Sequence, residues 1–184
     1  MDGAFYQDLR APFDIGATPP SSVTLATTDK ALYTTSEFAA FGSGYWWVGK
    51  KLRIHLVGKA TTGATPGNGT FDIYWGTGAD ANGTILASSA ATAMAANQSN
   101  ITWDIELIVE CTVRGSSGKL LVTGKAFLNG LLSTNVPMPI PATSPAASSA
   151  IDLTAANILS VQFKRSGSTA ETMQVLQMEV QPLN

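Results

Sequence analysis

Residues 103–114 read WDIELIVECTVR, and no other stretch constrains the fold as tightly. Trp103, Ile105, Leu107, Val109, Cys111 and Val113 share one parity. Asp104, Glu106, Glu110, Thr112 and Arg114 share the other, with Ile108 the one apolar exception. Alternation with period two over this length is the pattern of a strand with one buried and one wet face. A helix would scatter the same apolar residues around its circumference. At ~3.3 Å per residue the strand spans roughly 40 Å, long for a globular protein. The Gly-Ser-Ser-Gly of residues 115–118 is a turn, and residues 119–128 return as a second strand. This hairpin is the predicted centre of a sheet whose apolar face the rest of the chain must cover.

The surface expected around that core is poor in charge. Only 13% of the 184 residues are charged, about half the usual share, and Ser, Thr, Asn and Gln supply the missing polarity. Such a surface is weakly protected against association. It implies a protein partly buried in an assembly; a plain monomer is the alternative. The net charge of -2 gives no field to attract phosphate, so no nucleic-acid partner is expected. Lys50, Lys51, Arg53 and His55 are a local basic cluster at the start of a strand, better read as a solvated or partner-facing edge. Cys111 is the single cysteine and sits on the apolar parity, which makes it a small buried hydrophobe. No apolar run is long enough to span a membrane, and residues 1–16 have neither the basic start nor the apolar core of a secretory signal.

Residues 1–22 hold Pro12, Pro19 and Pro20 and sustain no clear period, yet Phe5, Tyr6, Leu9, Phe13 and Ile15 make them too apolar for a free tail. They are expected to form an extended arm whose aromatics insert into their own domain or a neighbour. Residues 23–41 carry short β-leaning pieces, edge strands or a brief helical turn. Tyr45, Trp46 and Trp47 follow, and three adjacent aromatics cannot all face one side of a strand. From Lys50 the alternation sharpens: Leu52, Ile54 and Leu56; Phe71, Ile73 and Trp75 against Asp72 and Tyr74; residues 84–88; Leu159, Val161 and Phe163; Leu176, Met178 and Val180. Residues 90–96 are Ala-rich, a helical turn or a loop. Residues 130–150, with Pro137, Pro139, Pro141 and Pro145, are expected to be a long surface connection. The expected fold is all-β: an antiparallel β-sandwich, with a jelly roll as the first topology and an immunoglobulin-like arrangement as the alternative. Residues 1–45 form the arm and short edge elements, and residues 46–184 the sandwich domain.

Little in the sequence calls for catalysis or a cofactor. With one histidine and one cysteine there is little material for a nucleophilic triad or a metal centre, and neither a P-loop nor HExxH is present. Asp104 and Glu106, two residues apart on one strand face, would stand roughly 7 Å apart, within the range of an inverting glycosidase. A solvated polar face is the commoner meaning of that spacing. Asp80, Asn82 and Gly83 faintly suggest a calcium loop but lack its remaining ligands. Asn68, Asn82, Asn97 and Asn100 each open an Asn-X-Ser/Thr triplet, a pattern that arises by chance in a chain this rich in Ser and Thr. Tyr45, Trp46, Trp47, Tyr74 and Trp75 could stack on sugars; core and interface packing is the preferred reading.

The runs VGKKLRIHLVGKATTGATPGNGTFDIYWGTGADANGTILASS and ITWDIELIVECTVRGSSGKLLVTGKAFL resemble a pattern in virion structural proteins of tailed bacteriophages, over residues 48–130 and more loosely the chain to 182. The shared parts are a strand opening with Gly and Lys, a Pro-Gly loop, an aromatic strand ending in Gly, a Trp-led long strand and a Gly-rich hairpin turn. The resemblance implies a non-enzymatic capsid decoration (cement) or minor capsid protein, located on the virion and made in the host cytoplasm. It implies the major capsid protein as partner and self-assembly as a homotrimer. It carries no catalytic residues. Phe5, Tyr6, Leu9, Phe13, Tyr45, Trp46 and Trp47 are the candidate partner-interface residues. A phage tail component or a carbohydrate- or receptor-binding sandwich is the alternative.

Overall fold

The computed structural model describes residues 20–33, 40–129, 132 and 136–184. Phe5, Tyr6, Leu9 and Phe13, and with them the expected arm, lie outside the described residues. Among the described residues the regular structure is all strand, with no helix. The strands are β1 (Val23–Thr24), β2 (Lys30–Ala31), β3 (Lys51–Thr61), β4 (Asn68–Gly76), β5 (Thr84–Ser88), β6 (Thr92–Ala93), β7 (Ile101–Val113), β8 (Lys119–Leu128), β9 (Met138–Ile140), β10 (Ile158–Arg165) and β11 (Thr172–Pro182). They form two antiparallel sheets packed face to face. The larger runs β1-β11-β3-β7-β8-β9 and the smaller β2-β10-β4-β5, with β6 also on β4. β3 pairs with β11 in one sheet and β4 with β10 in the other, so early and late strands nest across the sandwich.

Of the hairpin predicted as the centre, β7 lies inside the larger sheet between β3 and β8, while β8 has only the short β9 outside it. Every second residue of β7 is buried: Trp103, Ile105, Leu107, Val109 and Cys111. Leu52, Ile54 and Leu56 of β3 share their face, and Phe71, Ile73, Leu159, Val161 and Phe163 come from the facing sheet. Each large apolar side chain taken out of water contributes roughly 1.5–3 kcal/mol, and here they merge into one core. The Trp103 ring lies 6.2 Å from Phe71, which meets Phe163 edge-on at 4.7 Å. Gly58 of β3 leaves the room that this indole fills: a Cβ there would strike the Trp103 ring and the Gln174 carbonyl.

Four sequence expectations change in the structure. Asp72 and Tyr74, which alternate with Phe71, Ile73 and Trp75 as an outer face would, are both buried, because the turn between β4 and β5 and the segment around β2 cover the outer face of the smaller sheet. Residues 90–96 contain the short strand β6 and no helical turn. Residues 130–150 are not only a surface connection. Met138 and Ile140 are buried in β9, and Ser148 is buried against Leu120 of β8. Leu176 does not share the inward parity of Met178 and Val180. A bulge between Val175 and Gln177 turns it outward, 41% exposed.

Candidate functional site

The three adjacent aromatics divide as their parity requires. Trp46 turns into the core, where Phe41, Tyr45, Trp46 and Trp75 form one ring cluster with centroids 4.7–6.1 Å apart. Trp75 is pinned by its indole N–H, which donates to the Asp152 carbonyl at 2.9 Å. Trp47 turns out and is 46% exposed, and the next residue, Val48, is 61% exposed. The buried Lys50 lies between the two outer rings, its ammonium 3.8 Å from the Tyr45 centroid and 3.9 Å from that of Trp47. Cation–π contacts of this kind are worth about 0.5–2 kcal/mol, and they hold the Trp47 ring in one orientation.

The backbone beneath Trp47 is equally fixed. The Gly49 N–H donates to the Cys111 carbonyl at 2.8 Å, and the Cys111 N–H returns to the Lys50 carbonyl at 2.9 Å. From the other side, the Asn184 amide donates to the Gly49 carbonyl at 2.7 Å. The exposed Val113 and Leu183 end the two chains that flank Gly49. Trp47, Val48, Val113 and Leu183 are thus exposed apolar residues at the same end of the larger sheet. Of the predicted interface residues, Trp47 is exposed, Tyr45 is half-buried and Trp46 is core.

A second cluster, not found from sequence, occupies the outer face of the smaller sheet. Asp72 on β4 accepts from the Lys164 ammonium at 2.6 Å and from the Ser88 hydroxyl. Asp29, from the segment before β2, accepts from the Tyr74 hydroxyl at 2.8 Å and lies 3.5 Å from Lys164. Its other oxygen is buried with no hydrogen-bond partner among the described residues. Burial, and next the Asp72 carboxyl beside it, push the Asp29 carboxyl above its ordinary pKa. Burial, reinforced by Asp29, also raises Tyr74 and keeps its phenol protonated. Burial works against the charge on Lys164, but the Asp72 hydrogen bond and charge outweigh it and raise the pKa. Gln162 closes the layer, accepting from the Ala81 N–H at 2.8 Å and donating to the Ala79 carbonyl at 3.0 Å. The arrangement binds the β2 segment and the 77–83 turn to the sheet.

The weaker candidates resolve into structural contacts. Asp80 accepts from the Lys30 ammonium at 2.7 Å and the Ala31 N–H at 2.8 Å, so its oxygens hold β2 where a calcium ion was considered. Glu106 is paired with Arg53 at 2.8 Å and Glu110 with Lys51 at 3.3 Å, on the outer face of the larger sheet. Among the described residues no group of three or more His, Cys, Asp or Glu side chains is placed to hold a metal ion. Cys111 is a buried free thiol whose pKa burial raises.

The fold and this site define an all-β sandwich with one exposed, rigidly based apolar end. No protein-family model matches the chain, and no curated protein matches it. Among solved structures it is similar to the legume lectin-like domain from Entamoeba histolytica, at 7% identity and a TM-score of 0.35, covering 89% of this chain and 84% of that one. At that similarity nothing about binding is carried over.

Proposed function

We propose that the chain is a non-catalytic structural subunit that docks on an assembled protein shell through the Trp47 end. The setting is the one the sequence resemblance implies, a decoration or minor capsid protein of a tailed phage, bound to its major capsid protein and self-associating as a trimer. The observation that supports it is the pair Trp47 and Val48, the one exposed and oriented by Lys50, the other the more exposed of the two. A large aromatic held still before contact loses little entropy on docking, which is what an interface anchor needs. A subunit that binds only the assembled shell stabilises it by mass action, with no chemistry required.

The test is co-sedimentation of the purified protein with empty heads, alongside light scattering of the protein alone. Wild type is expected to pellet with heads, and Trp47→Ser to bind at least tenfold more weakly with an unchanged far-UV spectrum. Undiminished binding by Trp47→Ser overturns the docking role. A mass near three times 19.2 kDa supports the trimer, and 19.2 kDa at every concentration refutes it.

Sugar stacking is the second reading, and it also rests on Trp47. Trp46, Tyr74 and Trp75 are buried, and Lys50 already faces the Trp47 ring, so a glycan would find one ring rather than a platform. Binding on a broad glycan array that Trp47→Ser abolishes would favour it.

A further inference from the structure

The sequence holds three Asn-Gly steps, at residues 68–69, 82–83 and 129–130, and the last extends beyond the described residues. The first two stand in the same triplet, Asn-Gly-Thr, so their local chemistry is nearly the same. The fold separates them. Asn68 and Gly69 open β4, where Gly69 is buried and paired on both sides, with Arg165 of β10 and Thr92 of β6. The Asn68 N–H donates to the Ser166 hydroxyl at 2.8 Å, and the Asn68 carbonyl accepts from the Ser166 N–H at 2.9 Å. Asn82 and Gly83 lie instead in the turn between β4 and β5, and both are exposed.

The turn demands glycine at 83. Its φ is +114°, and a Cβ there would stand 2.3 Å from the Trp75 carbonyl oxygen. The same lack of a side chain leaves the Gly83 nitrogen unshielded toward the residue before it. The Asn82 side chain carries one further feature: the Thr77 hydroxyl donates to its Oδ1 at 3.1 Å. That donor sits on the oxygen which takes up negative charge when a nucleophile adds to Cγ.

We propose that Asn82 is a self-modification site, where the side-chain amide is exchanged for a carboxylate with water as the co-reactant. The deprotonated Gly83 nitrogen attacks Asn82 Cγ. A C–N bond forms, the Cγ–Nδ2 bond breaks and ammonia leaves, which closes a succinimide ring. Water then opens the ring at one of its two carbonyls. Opening at Cγ gives aspartate. Opening at the backbone carbonyl gives isoaspartate, whose main chain is longer by a methylene.

The turn has no slack for that methylene. A Cβ on Gly76 would stand 2.5 Å from the Asn82 carbonyl oxygen, so the two backbones already touch. The residues just before Asn82 are the ones that hold the cover of the smaller sheet. Asp80 accepts from Lys30 and from the Ala31 N–H, and the Ala81 N–H donates to Gln162. Ala81 is itself at a φ of +50°. Isoaspartate at 82 displaces these contacts, and its carboxylate adds a like charge two residues from Asp80. The product therefore loosens β2 from the sheet.

The test holds the native full chain in mildly alkaline buffer and follows residues 68 and 82 by fragmenting its peptides in a mass spectrometer. A parallel sample is unfolded in urea. In the native chain Asn82 should convert at least tenfold faster than Asn68, and in urea the two should convert at similar rates. No preference in the native chain, or the same preference in urea, overturns the proposal. Hydrogen exchange reads the consequence: the amides of Ala31 and Ala81 should exchange at least tenfold faster in the isoaspartate form than in fresh protein. Asn82→Ser, which has no amide to lose, should keep its fresh rates through the same incubation. Unchanged exchange in the isoaspartate form overturns the loosening of β2.

Discussion

At the scale of single residues, the sharpest energetic conflict is two carboxylates, Asp29 and Asp72, around one ammonium, Lys164. The Asp29 carboxyl holds its proton more tightly in the folded chain than in the unfolded one, so it favours folding below its ordinary pKa. That advantage is lost as pH rises through the raised folded-state value. Asp29→Asn keeps an oxygen to accept from Tyr74 and removes the charge. The variant should melt higher than wild type at pH 7, by about 1 kcal/mol or a few degrees. The gap should shrink toward pH 4 in a series of thermal melts, and a gap that does not vary with pH would refute the account. None of this could be read from the sequence. Asp72 and Tyr74 alternate with Phe71, Ile73 and Trp75 as residues of a wet face do. They are buried because segments remote in the chain lie over them, and alternation carries no information about cover that arrives from elsewhere.

At the scale of elements, legibility tracked whether a strand keeps one face in water. β3 and β7 do, and their alternation in sequence is their burial pattern in the structure. β4 and β10 are buried on both faces over most of their length, so the periodic signal there is only half right. The pairing of residues 138–151 on β8 escaped notice because four prolines read as loop, yet proline is acceptable on an edge. The bulge that exposes Leu176 leaves no mark in composition. Of the candidate site, an aromatic run with mixed orientation was legible, but which ring faces out was not: that is set by Lys50 and by the ladder at Gly49. β3 has little freedom at Gly58, where a Cβ meets the Trp103 indole of β7 and the Gln174 carbonyl of β11. Neither is the loose end of a flexible chain. Gly58→Ala should therefore cost about 1–3 kcal/mol through forced movement of Trp103 and β11, measured as a lower urea midpoint. A neutral result would mean that β11 yields easily.

At the scale of the whole molecule, both sheets and the 40–46 and 151–153 segments contribute to one core, so no part of the sandwich has a core of its own. Loss of either sheet should expose the other, and the unfolding transition should be cooperative. Cys111 turns this into a practical property. Its thiol is fully buried in β7, an inner strand of the larger sheet, and burial disfavours the reactive thiolate. A maleimide added to the native protein should wait for the sandwich to open before it can couple. Each molecule then carries a clock of its own, and the labelling half-life in a mass spectrum should lengthen or shorten with every substitution in the core. Rapid stoichiometric labelling under native conditions would show instead that β7 is reached without global opening.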